Sequence, residues 1–265
     1  MSTNKLALPL VFLVLLGTYM VESKGAREKL SPRPKSPKHI LFMTRSAGFK
    51  HPVVPFAAET MKKLAEQEKD FDVTVTDDPS VLTKDGLRGY DALLFYTTGK
   101  SPEEFGINEE QKSALMDFVK SGKGFAGVHS ATDTFYIWPE YGEMIGAYFD
   151  GHPWHQEVNI NVEDKKHPAT RHLGASFKIN DEIYQFKDFS RNRVHVLLSL
   201  DTSSVDLTKK GVKRTDGDFA TAWVRDWGKG RVFYTALGHE QAVWSDSRFQ
   251  THLLNGIRWT MRTIK

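Results

Sequence analysis

The chain has 265 residues, of which 40% are hydrophobic, 26% charged and 12% aromatic, the profile of a globular protein rather than a disordered or fibrous one. Its 36 Lys and Arg against 33 Asp and Glu leave a formal charge of +3, too small an excess to suggest a nucleic-acid partner. Cysteine is absent, which excludes disulfides, thiolate metal sites and a cysteine nucleophile, and makes the 10 histidines the residues to follow.

Leu6–Leu16 (LALPLVFLVLL) is apolar but shorter than the roughly 20 residues a membrane-spanning helix needs, and it follows a lone Lys5. That pattern fits the core of a secretory signal, so residues 1–23 are expected to be a signal peptide directing export to a periplasm or the cell exterior. An uncleaved membrane anchor is the alternative. Residues 24–37, rich in Pro, Lys and Ser, read as an extended linker, and folded structure is expected over 38–265 as one domain.

His39–Arg45 is a short buried-strand pattern ending in a Ser-Ala-Gly loop, and Val54–Lys69 follows with apolar and small residues at helical spacing. Phe71–Thr76 alternates as a strand, Ala92–Tyr96 is a continuous buried run, and Asn108–Ser121 is amphipathic with Gly122 as its stop. Gly124–Val128 makes the next strand. The order is βαββαβ or βαβαβαβ, depending on whether Ser80–Arg88 adds a helical turn. Strands alternating with such helices imply a parallel sheet covered on both faces, an α/β doubly wound fold of flavodoxin-like type. Beyond Asp150 the pattern changes to short strands, at Gln156–Glu163, Ile183–Phe186, His195–Leu200, Thr221–Arg225 and Arg231–Ala236, an antiparallel C-terminal extension closed by a helix over Phe249–Arg262. Trp227-Gly228-Lys229-Gly230 supplies a hairpin turn between the last two strands.

Open α/β sheets bind ligands beyond the carboxyl ends of their strands. Five histidines fall in such segments or just before a strand: His51, His129, His152, His155 and His239. Gly127-Val128-His129-Ser130-Ala131 has the form of a strand-to-helix elbow that thrusts one side chain into a site, here an imidazole able to ligate a metal or move a proton. His152 and His155, three apart, suit one face of a helical turn and an imidazole-binding divalent ion such as zinc or manganese; a hydrogen-bonded loop is the plain alternative, since Pro153 lies between them. Asp133 follows His129 by four residues, Glu182 and Tyr184 open a strand that could line the site, and Glu240 adjoins His239; His129, Asp133 and Glu182 form the candidate catalytic group. Trp138, Trp154, Tyr184 and Trp244 stand beside the same motifs and are candidate sugar-binding aromatics, with core packing as the alternative for the tryptophans. His39, His167, His172, His195 and His252 read as solvated or packed.

The stretches SAGFKHP, GVHSATDTF, GHPWHQEV, DEIYQF and GKGRVFYTALGHE together resemble the trehalose-utilisation (ThuA-like) family, over about Lys38 to Met261. The resemblance implies a class I glutamine amidotransferase-like fold. In amidotransferase relatives the elbow carries a catalytic cysteine, which this chain replaces with His129, so glutaminase chemistry is not implied. It implies instead a role in sugar metabolism, with trehalose or 3-keto-glycosides as substrates and a metal held by such histidines. Three readings follow: a metal-assisted lyase, isomerase or hydrolase on a sugar or oxidised glycoside; a metal-free hydrolase using a His and carboxylate pair; and a non-catalytic carbohydrate-binding or scaffold protein. A homo-oligomer is compatible with each.

Overall fold

The computed structural model describes Met1 and residues 36–265; all but the first residue of the expected signal peptide and all but the last two linker residues lie outside them. In chain order the elements are β1 (Lys38–Met43), α1 (Val54–Glu68), β2 (Phe71–Thr76), β3 (Ala92–Phe95), α2 (Pro102–Phe105), α3 (Glu109–Lys120), β4 (Gly124–Val128), α4 (Pro139–Ile145) and β5 (Tyr148–Phe149). There follow β6 (Trp154–Val162), β7 (Ser176–Ile183), β8 (Phe186–Lys187), β9 (His195–Leu200), β10 (Ala220–Trp227), β11 (Gly230–Thr235), α5 (Gln241–Ser245) and α6 (Ser247–Thr260).

Nine strands form one sheet in the order β2-β1-β3-β4-β11-β10-β9-β6-β7. From β2 to β11 every neighbour is parallel, and from β11 to β7 every neighbour is antiparallel. The two halves differ in sequence for a physical reason. β3 and β4 are buried along their whole length, because helices cover both faces of the parallel half, whereas β6 alternates between buried and more exposed positions. α1 and α6 pack on one face, burying Met61, Leu64, Leu253 and Ile257 against Ile40, Leu94 and Phe233. α3 and α4 pack on the other, burying Leu115, Val119, Tyr141 and Ile145 against Leu93, Phe125 and Tyr234.

Local chemistry fixes the ends of these elements. Asn108 and Gln111 form a reciprocal capping box at the start of α3. Gly228 turns the β10–β11 hairpin at φ +59°, and a Cβ there would come within 2.9 Å of the Lys120 backbone. The segment 80–88 holds no α-helix, only the end of a 3-10 turn at Pro79–Val81, so the βαββαβ order is the one adopted. The main departure from the sequence reading is β7, which begins at Ser176 and pairs with β6 along its length, while Phe186–Lys187 pairs separately with β5. β7 is an edge strand, and its polar outward positions Ser176, Lys178 and Asn180 hide it from a search for apolar runs. No helix among the described residues is long and apolar enough to cross a membrane.

Candidate functional site

The carboxyl ends of β1, β4 and β11 open onto one place. His51 lies on the loop leading from β1 to α1, His129 directly follows β4, and His239 follows β11. The antiparallel half contributes Glu182 and Tyr184, from the end of β7 and the residues just after it. The atoms meet closely. His129 Nε2 lies 3.2 Å from His239 Nδ1 and 3.4 Å from Glu182 Oε2, and His239 Nδ1 lies 3.3 Å from the same oxygen. His51 completes the group: the ligating atoms of His51, His129, Glu182 and His239 all fall within 4.8 Å of one another.

Each member is held by its own supports. His129 sits in the left-handed region at φ +47°, a conformation a non-glycine residue adopts only when its surroundings impose it. The Tyr234 hydroxyl donates to the His129 carbonyl at 2.7 Å, and the Tyr141 hydroxyl donates to Ala131 at 2.9 Å, fixing the turn. The Ala236 carbonyl lies 2.7 Å from His129 Nδ1. A carbonyl can only accept, so Nδ1 carries the proton and Nε2 presents a lone pair to the cluster, where the Tyr184 hydroxyl donates to it at 2.8 Å.

His239 is placed by a residue the sequence reading passed over. Asp181, fully buried, accepts the backbone N–H groups of Gly238 at 2.7 Å, His239 at 3.0 Å and Glu240 at 3.3 Å. The Gly238 carbonyl in turn accepts from Tyr96 and Trp244, both at 2.9 Å. The only sequence signal for Asp181 is its place beside Glu182 at the head of the DEIYQF stretch.

The electrostatics are those of a mixed neutral and anionic donor set. Burial lowers His51 to about 3, with His129 and His239 adding to the effect, so its ring is neutral, and its buried Nδ1 has no hydrogen-bond partner among the described residues. Burial pushes Glu182 up, but the His129 and His239 rings packed against its carboxylate, His239 donating to it through Nδ1, outweigh that and hold the carboxyl well below its ordinary range. The same bond to Glu182 raises His239. Burial holds the Tyr184 phenol far above its usual value, so it stays a donor. Three pair distances of 3.2, 3.3 and 3.4 Å match the edge of roughly 3.4 Å expected between tetrahedral ligands about 2.0–2.1 Å from a shared centre. His129, His239 and Glu182 therefore have the spacing of three ligands of a divalent metal, with His51 close enough to be a fourth.

The model of the ThuA family, described as trehalose utilisation, matches residues 39–260. The chain belongs to the trehalose utilisation family. Similar solved structures include a ThuA-like protein from Bacteroides uniformis, 27% identical with a TM-score of 0.71, covering 87% of this chain and 94% of that one. A ThuA-like protein from Parabacteroides merdae is 19% identical with a TM-score of 0.66, covering 86% and 90%. A cytoplasmic protein from Salmonella typhimurium, at 11% identity and a TM-score of 0.57, covers 84% and 98% and shares the fold. Curated proteins give no match. The fold is glutamine amidotransferase-like, and the family points to a role in sugar metabolism.

In this family member the other residues singled out from sequence fall in two groups. His152 and His155 lie beside the cluster rather than in it: His152 Nδ1 is 3.2 Å from Glu182 Oε1, and His155 Nε2 is 2.8 Å from Glu240 Oε1. They do not share a helical turn, because Pro153 keeps the segment extended and His155 is already within β6. His155 also forms a second, more exposed group with His239 and Glu240. Asp133 stands apart from the histidines, accepting the Tyr136 hydroxyl at 2.5 Å. Trp138, Trp154 and Trp244 are packed in the core, and none turns a ring face to the site. The aromatic rim consists instead of Phe49, whose ring meets His51, and Phe149, which stacks on His152 and touches Tyr184. His167 and His252 are buried, whereas His39, His172 and His195 are exposed and hydrogen-bonded away from the site.

Proposed function

We propose that the protein is an exported metal-assisted enzyme acting on a sugar, with an oxidised (3-keto) glycoside as the substrate class. The observation that carries this reading is the near-equilateral triangle of His129 Nε2, His239 Nδ1 and Glu182 Oε2, with a neutral, unpartnered His51 beside it. A zinc or manganese ion held by His51, His129, His239 and Glu182 would supply Lewis-acid polarisation of a sugar carbonyl. The remaining steps belong to side chains. The Tyr184 hydroxyl, kept protonated by burial, donates a hydrogen bond toward developing negative charge on oxygen. The exposed His152 imidazole, oriented by Glu182, moves a proton at the carbon next to the carbonyl, which permits elimination or isomerisation without a covalent intermediate. Phe49 and Phe149 provide the apolar rim against which a ring stacks. Export rests on the Leu6–Leu16 pattern and is checked by N-terminal sequencing of the mature protein.

The test is metal content of the purified chain by elemental analysis. About one tightly held equivalent is expected, lost in His51→Ala/His239→Ala and retained in His152→Ala/His155→Ala, which also loses turnover of 3-keto-glycosides. No metal after incubation with zinc or manganese would overturn the proposal.

A further inference from the structure

A groove of about 540 Å³ opens beside the histidine cluster, bordered by Phe149 and Gly151, the residue before His152. It takes no part in holding the metal ligands. Its wall carries Lys100, Lys187 and Lys213 against two carboxylates, Asp133 and Asp150. The charges do not cancel locally. Lys213 is tied to Asp150 at 2.6 Å, and Asp133 is engaged by the Tyr136 hydroxyl. Lys187 lies over the face of Tyr136, 4.7 Å from its centroid, and neither Lys100 nor Lys187 has an ion-pair partner among the described residues. Three ammonium groups against two carboxylates leave the wall a net charge of +1, and Lys100 and Lys187 are the two not committed to an ion pair among the described residues. The groove also has an apolar side, in Phe149 and in Ile137, which is 68% exposed. A polyhydroxylated ring has hydroxyls for Asp133, Asp150 and Lys213 and an apolar face for Ile137 and Phe149.

We infer that this groove is a subsite for an acidic sugar ring, one carrying a carboxylate or a phosphate, set beside the ring at the histidine cluster. The inference rests on the reading of that cluster as a sugar site, because it places a second ring of the same glycoside next to the first. Lys100 and Lys187 receive the anionic group, and the Lys213–Asp150 pair takes ring hydroxyls.

The experiment is calorimetric titration of the full chain with glucuronate, glucose 6-phosphate and glucose at low ionic strength. At least one of the acidic sugars is expected to bind about ten-fold tighter than glucose, the worth of two partly exposed ammonium contacts. Which acid wins tells a carboxylate from a phosphate as the natural group. Added salt erases the preference, and Lys100→Met/Lys187→Met removes it while the metal content of the protein stays unchanged. Equal affinity for all three sugars, or a preference that survives the double variant, overturns the inference. His51→Ala/His239→Ala separates the two claims: a preference that persists there stands on the groove alone. Wild-type protein that holds metal without discriminating acidic sugars sinks the groove and spares the cluster.

Discussion

Replacing Asp181 with Asn alters one atom and disturbs three bonds. The carboxylate takes Gly238 N–H on Oδ2 and the N–H groups of His239 and Glu240 on Oδ1. Asn offers one acceptor oxygen and an NH2 that can only donate, so either the Gly238 bond or the other two are lost, and donor faces donor. A hydrogen bond to a charged group contributes about 1.5–3 kcal/mol, and an orphaned buried N–H costs a comparable amount. Burial opposes this by pushing the Asp181 carboxyl up, so the neutral amide recovers part of the loss. A net destabilisation of about 2–3 kcal/mol is expected for Asp181→Asn. The effect reaches the site because the same loop carries His239: metal affinity should fall about 10- to 100-fold, as it does when the supports of a metal ligand are removed. Urea unfolding followed by tryptophan fluorescence measures the first quantity, and competition with a chromophoric chelator the second. A variant with an unchanged unfolding midpoint and unchanged affinity would refute the role assigned to Asp181.

Other outcomes follow from the same geometry. His252 is fully buried, has no ion-pair partner among the described residues, and burial lowers it to about 3, so the unfolded chain binds a proton near pH 6.5 that the folded chain refuses. Stability is therefore complete above about pH 6.5 and falls on acidification by about 1.4 kcal/mol per unit for this group. His252→Gln should make the urea midpoint less steep between about pH 6.5 and 4, and an unaltered slope would exclude burial of this ring as a source. At position 129, His129→Gly should be more stable than His129→Ala by about 1 kcal/mol, because only glycine adopts φ +47° without strain; equal thermal midpoints would show that the turn relaxes.

Much of the parallel half was legible because β3 and β4 are buried on both sides and write themselves as unbroken apolar runs, while the edge strand β2 shows the alternation of a half-buried one. β2 and β4 have the bounds expected of them, and the histidines following β1, β4 and β11 meet as the carboxyl-end rule requires. The elbow at His129 was visible from its small neighbours, and Gly127 shows why they are small, since a Cβ there would sit 3.0 Å from Ala131 and Tyr234. What could not be read was orientation. A tryptophan near a motif has two sides to choose from, and Trp154 and Trp244 point inward to donate to the carbonyls of Asp206 and Gly238. Nor does sequence spacing reveal that β7, the far edge of the sheet, brings Asp181, Glu182 and Tyr184 to histidines more than 50 residues away. That approach depends on the pairing of β6 with both β7 and β9, a long-range property no local pattern carries.

The switch of strand direction at β11 has a consequence in time. Its parallel bond to β4 and its antiparallel bond to β10 make it the seam between the halves, and His239 lies just beyond it, 110 residues after His129. A chain emerging from the ribosome displays His51 first and Glu182 much later, and it cannot close the cluster until the seam strand has been made and inserted. Until then the four donors are separate side chains, so any divalent ion that the complete group would hold could be loaded only late, after β11 has been made.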